Sequence, residues 1–132
     1  MTTMTDDDLA RRAVLERVID TSIDIGIRHE SYHPDAVLEF PQSGERFEGV
    51  GNFLPWRAQY PEPVEFRVRR ITGSGQLWVG ELSASYSGGP WMLGFAIIEF
   101  DGLRIRRERI YVAEPWDAPA WREPWRSPRP AE

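Results

Sequence analysis

Residues 32–51 read YHPDAVLEFPQSGERFEGVG. Tyr32-His33-Pro34-Asp35 has the composition of a turn, and Val37, Leu38 and Phe40 that of a short strand. Pro41 has no N–H to give to a strand ladder, so it interrupts that strand. Ser43-Gly44 supplies a further turn, and Gly49 and Gly51 flank the start of a helix. A hairpin-like return of this kind joins an amphipathic helical region before it to a β-rich region after it. The order predicts an α+β domain with a pocket between helices and sheet.

Before this stretch, Thr5 has the character of an N-cap, and Asp6, Asp7 and Asp8 favour the positive end of a helix dipole. Leu15, Val18, Ile19, Ser22 and Ile23 share one helical stripe, which predicts a helix over 6–23 broken at Gly26. A second, short helix over 25–31 carries His29 and ends before Pro34; residues 1–4 are expected to fray. After it, Phe53, Trp56 and Tyr60 lie on one face of a third helix over 52–60, with Pro55 in its first turn and Pro61 and Pro63 ending it. Four strands are expected over 64–72, 76–86, 90–100 and 103–113. Gly73-Ser74-Gly75, Ser87-Gly88-Gly89 and Asp101-Gly102 join them as an antiparallel meander. The expected fold is a cone-like roll: a curved antiparallel sheet with about three N-terminal helices over its concave face. Residues 1–113 form this domain. Residues 114–132 form a tail in which five prolines alternate with Trp116, Trp121 and Trp125. Proline keeps such a segment extended, and three large aromatics are expected to pack on the domain or on a second subunit.

Composition removes several function classes. A chain of 132 residues is one domain by length, and 41% hydrophobic residues can fill its core. A net charge of −5 argues against a general nucleic-acid surface. The absence of cysteine removes thiol catalysis, thiolate metal sites and disulfides, and fits a cytoplasmic protein. No apolar run approaches the ~18 residues that span a membrane, and the acidic N-terminus has no apolar export signal.

Candidate chemistry is sparse. His29 reads as surface or structural and His33 as a turn residue; with Asp35 they match no metal-ligand spacing, so no metal is expected. No glycine-rich phosphate loop or elbow serine is present. The final strand, LRIRRERIYV, sets Glu108 among Arg104, Arg106, Arg107 and Arg109. Strict alternation gives one face Arg106, Glu108, Ile110 and Val112, and the other Ile105, Arg107, Arg109 and Tyr111. One reading is a solvated or subunit-facing strand with charges paired across its neighbours. The other puts Glu108 inside the cone as an acid or base. Phe40, Phe53, Trp56, Tyr86, Trp91 and Met92 are either ordinary core or the lining of an apolar pocket.

YHPDAVLEFPQSGERFEG, the helix with Trp56-Arg57, the four-strand meander and ERIYVAEPWDAPAW together resemble SnoaL-like proteins of the nuclear transport factor 2-like superfamily. The resemblance spans roughly residues 8–126 and implies three helices in the mouth of a curved sheet, commonly a homodimer through the sheet's outer face. It implies isomerase, dehydratase, hydrolase, cyclase or binding functions alike. Where a ketosteroid-isomerase-like enzyme would have a tyrosine donor, an aspartate base and an aspartate donor, this chain has Val18, Phe40 and Ala96. That proton-transfer mechanism is therefore not expected. Where a SnoaL-like cyclase would have His and Asp two apart on the last strand, this chain has Glu108 and Ile110 if the Asp101-Gly102 turn shifts by one residue, or Arg107 and Arg109 if it does not.

The resulting expectation is a pocket protein for a small apolar or aromatic molecule, with Phe40, Phe53, Trp56, Tyr86 and Met92 shaping the site. Glu108 would be the acid/base of a cofactor-free cyclase or isomerase of polyketide-like substrates. The alternatives are a non-catalytic ligand-binding module, or an interaction domain whose Trp/Pro tail docks a partner.

Overall fold

The computed structural model describes residues 4–60 and 64–130. Pro61, Pro63 and most of the expected frayed N-terminus lie outside the described residues, but the third helix already ends at Arg57, short of the expected Tyr60 and before those prolines. Three helices, α1 (Asp6–Val18), α2 (Ile25–His29) and α3 (Val50–Arg57), pack on one side of a six-stranded sheet. The strands are β1 (Tyr32–Phe40), β2 (Glu45–Glu48), β3 (Val64–Ser74), β4 (Leu77–Tyr86), β5 (Met92–Asp101) and β6 (Arg104–Ala113), in the order β2-β1-β6-β5-β4-β3.

β3 to β6 form the expected antiparallel meander. The sheet as a whole is mixed, because β1 pairs with β6 in parallel, Leu38 opposite Glu108. β1 also begins earlier than expected, running through Pro34. The missing N–H of Pro34 does no harm there: β2 pairs only with Val37–Phe40, and the β1–β6 register is irregular between Tyr32 and Val37.

The helix ends also differ from the periodic stripe, for local reasons. Thr5 caps α1 by accepting from the Asp8 N–H at 3.1 Å. α1 stops at Val18 instead of running to 23, because Asp20 Oδ1 accepts from the N–H and hydroxyl of Ser22 and competes with helical bonding. Asp24 caps α2 through the N–H groups of Gly26 and Ile27, so Gly26 lies inside a helix rather than breaking one. α3 starts two residues early, after Gly49 at φ 88°, which places Pro55 within it. The buried Asp8 ties α1 to the β3–β4 turn by accepting from the Gly75 N–H at 2.9 Å. Leu15, Leu38, Phe53, Trp78, Ile98, Phe100 and Ile105 fill the space between helices and sheet. Truncating the fully buried Phe53 to alanine is expected to cost about 3–5 kcal/mol.

One irregularity sets which β6 side chains face the core. Glu99 pairs with Arg107 but Phe100 pairs with Ile105, so Arg106 is an extra residue at a bulge. Strict alternation therefore fails. Ile105 and Glu108, three residues apart, are both buried, whereas Arg107 and Arg109 stand on the outer face beside Glu99 and Glu39.

Candidate functional site

A cavity of about 550 Å³ lies between the helices and the concave face of the sheet. Small residues make room for it: Ala96 sits between Gly80 and Ile110 in the ladder, and a Cβ at Gly80 would meet nothing within 4 Å. Its walls are largely apolar, with Val18, Phe40, Trp56, Ala96 and Ile110 among them. The three positions where a ketosteroid-isomerase-like site would be polar, Val18, Phe40 and Ala96, thus all line this cavity as apolar side chains.

Thr21, Arg28 and Glu65 are polar residues on the wall, and a buried polar cluster interrupts the lining at Glu108. Glu108, 8% exposed, lies between Leu38 and Ile98 in the ladder. Its Oε1 accepts a short hydrogen bond from the Tyr32 hydroxyl and a longer one, 3.5 Å, from Arg57 Nη2. Arg57 Nη1 also donates to the Tyr32 hydroxyl at 3.3 Å and lies 3.1 Å from His29 Nε2. His29 Nδ1 is 2.7 Å from the Ile25 carbonyl, so it carries the proton and leaves Nε2 to accept from Arg57. The His29 ring stacks on Tyr32 at 5.0 Å between centroids. Among the described residues Glu108 Oε2 makes no bond, and it is not among the sealed side-chain atoms left without a partner. Glu108 itself is on the cavity wall.

The electrostatics follow from this packing. Burial and the neighbouring Glu108 charge push the Tyr32 hydroxyl well above its ordinary range, so it stays a donor. Burial opposes the Arg57 cation, but the Glu108 charge and the bonds to Tyr32 and Glu108 outweigh it, and its pKa is raised. Burial lowers the pKa of His29; the Ile25 carbonyl partly offsets this and the Arg57 charge adds to it. His29 is thus a neutral spacer rather than an acid.

The expected site residues divide. Glu108, Phe40, Trp56 and Tyr86 line the cavity. Phe53 does not: it is fully buried beneath the wall, in edge contact with Tyr32 at 5.5 Å. Met92 also lies off the wall, opposite Ala84 near the open end of β5, and Trp91 instead stacks under the Arg67 guanidinium at 3.9 Å. His29 is buried and bonded to the Ile25 carbonyl and Arg57, the structural of the two roles expected of it. His33 is the turn residue expected, its Nδ1 accepting from the Asp35 N–H at 3.2 Å. Among the described residues no group of three or more His, Asp or Glu could hold a metal ion, and no helix is long and apolar enough to cross a membrane.

Three members of the cluster escaped the sequence reading. Tyr32 reaches Glu108 only because β1 joins β6 in parallel across 76 residues of sequence. His29, on α2, stacks on Tyr32 three residues on and meets Arg57 from α3. Arg57 alone had a local signal: it lies four residues after the core residue Phe53, on the inward face of α3.

Fold and site together define a pocketed α+β cone with a buried carboxylate, Glu108, on its cavity wall. An NTF-2-like protein of unknown function from Burkholderia xenovorans LB400 is 34% identical, covers 96% of this chain and 100% of its own, and superposes with a TM-score of 0.86. The chain belongs to the NTF-2-like family. Two further structures share the fold: one with a provisional ketosteroid isomerase assignment from Kribbella flavida DSM 17836 (23% identity, 94% and 93% coverage, TM-score 0.80), and one with a provisional SnoaL-like polyketide cyclase assignment from Jannaschia sp. CCS1 (13% identity, 85% and 91% coverage, TM-score 0.73). No protein-family model and no curated protein sequence matches the chain.

Proposed function

We propose that the chain binds a small, uncharged, largely apolar or aromatic molecule in the concave cavity, and that Glu108 is the acid/base of a cofactor-free isomerase or cyclase acting on a polyketide-like substrate. The observation that carries this reading is the Glu108 carboxylate, anchored through Oε1 by Tyr32 and Arg57 with Oε2 unbonded among the described residues.

The volume suits a molecule of one to a few rings. Charge selects against anions. Of the two arginines on the wall, Arg57 is engaged by Glu108, Tyr32 and His29, and Arg28 donates to the carbonyls of Ile23 and Val18. In the proposed step Oε2 takes a proton from the carbon beside a ketone, and the C–H electron pair passes into an enolate. The carboxyl then returns the proton to another carbon, or the enolate carbon attacks a second carbonyl to close a ring, that carbonyl's π pair moves to its oxygen, and the carboxyl gives its proton to the alkoxide so formed. Tyr32 and Arg57 hold the carboxylate in place, which is worth rate because the base need not reorient. The hydroxyls of Tyr60 and Tyr86 on the same wall are the donors available to the enolate oxygen.

The second reading, a binding module without turnover, is favoured by the apolar Val18, Phe40 and Ala96. Hydrogen–deuterium exchange of 2-tetralone in D2O, followed by NMR, separates the two. The enzyme reading expects the protein to accelerate exchange beside the carbonyl, and Glu108→Gln to lower that rate by about 10²–10⁴-fold with the ketone still bound. Binding without acceleration in the unmodified protein would leave the module reading.

A further inference from the structure

Exposed aromatic surface in this chain is of two kinds. Trp116, Trp121 and Trp125 of the tail are 82%, 71% and 77% exposed, so the packing on the domain expected of them is not met within one chain. The second kind is gathered: Phe40, Phe47, Trp56, Tyr60 and Tyr86 wall a pocket of about 530 Å³ beside the β1–β2 hairpin. This pocket shares four of those rings with the concave cavity, but Phe47 and Glu45 belong to it and not to the cavity. In the hairpin Phe40 stands opposite Glu45, and Glu45 and Phe47, two apart, share a face of β2. Trp56 on α3 and Tyr60 just beyond it close over that face.

The rings form a bowl rather than a flat stack. Phe40, Phe47 and Trp56 touch one another with centroids 5.2 to 6.5 Å apart and planes inclined by 48° to 86°. Tyr60 and Tyr86 continue the row at 6.0 and 6.1 Å. Among the described residues the lining holds one charged group, the Glu45 carboxylate, and no cation. Ser43 Oγ donates to Glu45 Oε1 at 2.6 Å, and Oε2 makes no bond among the described residues. The adjacent Arg46 turns instead to Glu48 at 3.1 Å and Glu39 at 3.6 Å. Arg57 lies over the Trp56 ring at 6.0 Å, but on the wall of the concave cavity and not of this pocket. The Gln42 amide is committed at both ends to the backbone of Val112.

We infer that this pocket is a binding site for an alkylated ammonium group of a small molecule. Ring faces are the negative part of the aromatic quadrupole and attract a cation within about 6 Å of the centroid. The Glu45 carboxylate adds to that attraction and repels an anion. A primary ammonium is strongly hydrated and needs several acceptors, which this lining lacks. Alkylation keeps the positive charge, removes N–H donors and gives the rings apolar surface to cover. A neutral molecule of the same shape gains only the burial. The site stands whether or not a ketone turns over in the concave cavity.

Titration of choline, followed by NMR and set against its uncharged isostere 3,3-dimethyl-1-butanol, tests the site. Choline is expected to bind about tenfold more tightly than the isostere. Phe47→Leu, which keeps an apolar side chain but removes a ring face, should weaken choline by about fivefold. Glu45→Gln should weaken it by about threefold, an effect that disappears in high salt. Glu45 is exposed, so its variant keeps the test open if Phe47→Leu fails to fold. Failure of choline to bind, or equal binding of the isostere, would overturn the inference. So would choline binding that is lost in Glu108→Gln but indifferent to both Phe47→Leu and Glu45→Gln, since the ammonium would then lie in the concave cavity.

Discussion

Glu108 and Glu99 lie on neighbouring strands, and each meets arginine, yet they occupy opposite sides of the sheet. Glu99 stands on the outer face, its carboxylate 3.5 Å from Arg109, 3.8 Å from Arg107 and 3.8 Å from Arg106, all partly in solvent. Glu108 is buried with one arginine and one tyrosine. Exposed pairs are screened and contribute about 0–1 kcal/mol each. A desolvated pair is different: its assembly gains little, but removing one partner strands the other charge. Number of arginines is therefore a poor guide to consequence; the outer carboxylate is redundantly paired and replaceable, and the inner one is neither.

The largest test of that contrast is Arg57→Met. It leaves the Glu108 carboxylate buried without its cation and is expected to cost about 3 kcal/mol in urea unfolding. Tyr32→Phe, which removes the donor to Oε1 but leaves Arg57, should cost about 1–2 kcal/mol by the same measurement. A smaller effect comes from His29. Its pKa in the folded chain is lowered from 6.5, chiefly by burial, so the unfolded chain binds its proton more readily. The stability this gives is present above pH 6.5 and is lost as the pH falls below it. Unfolding free energies from pH 8 to pH 5 should show that decline, and His29→Phe should flatten it. Smallest of all, Arg109→Ala on the outer face should change stability by about 0.5 kcal/mol or less, diminishing further in salt. A loss at Arg109 as large as that at Arg57 would remove the distinction between the two faces.

Much of the architecture is legible in local sequence because its signals are local. Thr5 caps α1, glycine-rich turns place β3 to β6 within a residue or two, and Pro41 ends β1. What escaped has a non-local or sub-periodic cause. α1 ends early because Asp20 and Ser22 bond to each other. The parallel pairing of β1 with β6 is a tertiary choice that no nearby residue announces. The bulge at Arg106 is the most consequential: one extra residue lets Ile105 and Glu108 share the concave side, which strict alternation forbids. Sequence could not separate wall from core among the aromatics: Phe40, Trp56 and Tyr86 line the cavity, whereas Phe53, equally aromatic and on the same helix as Trp56, is fully buried.

The proposed site requires that Glu108, and not Glu99, present a carboxylate oxygen to a bound neutral ring. Isothermal titration of 2-naphthol, an aromatic with one hydroxyl donor, into the unmodified chain, Glu108→Gln and Glu99→Gln tests it directly. The expected result is about tenfold weaker binding for Glu108→Gln, the loss of one charge-assisted hydrogen bond, with Glu99→Gln indistinguishable from the unmodified chain. Equal affinity across all three, or no binding to the unmodified chain, would contradict it.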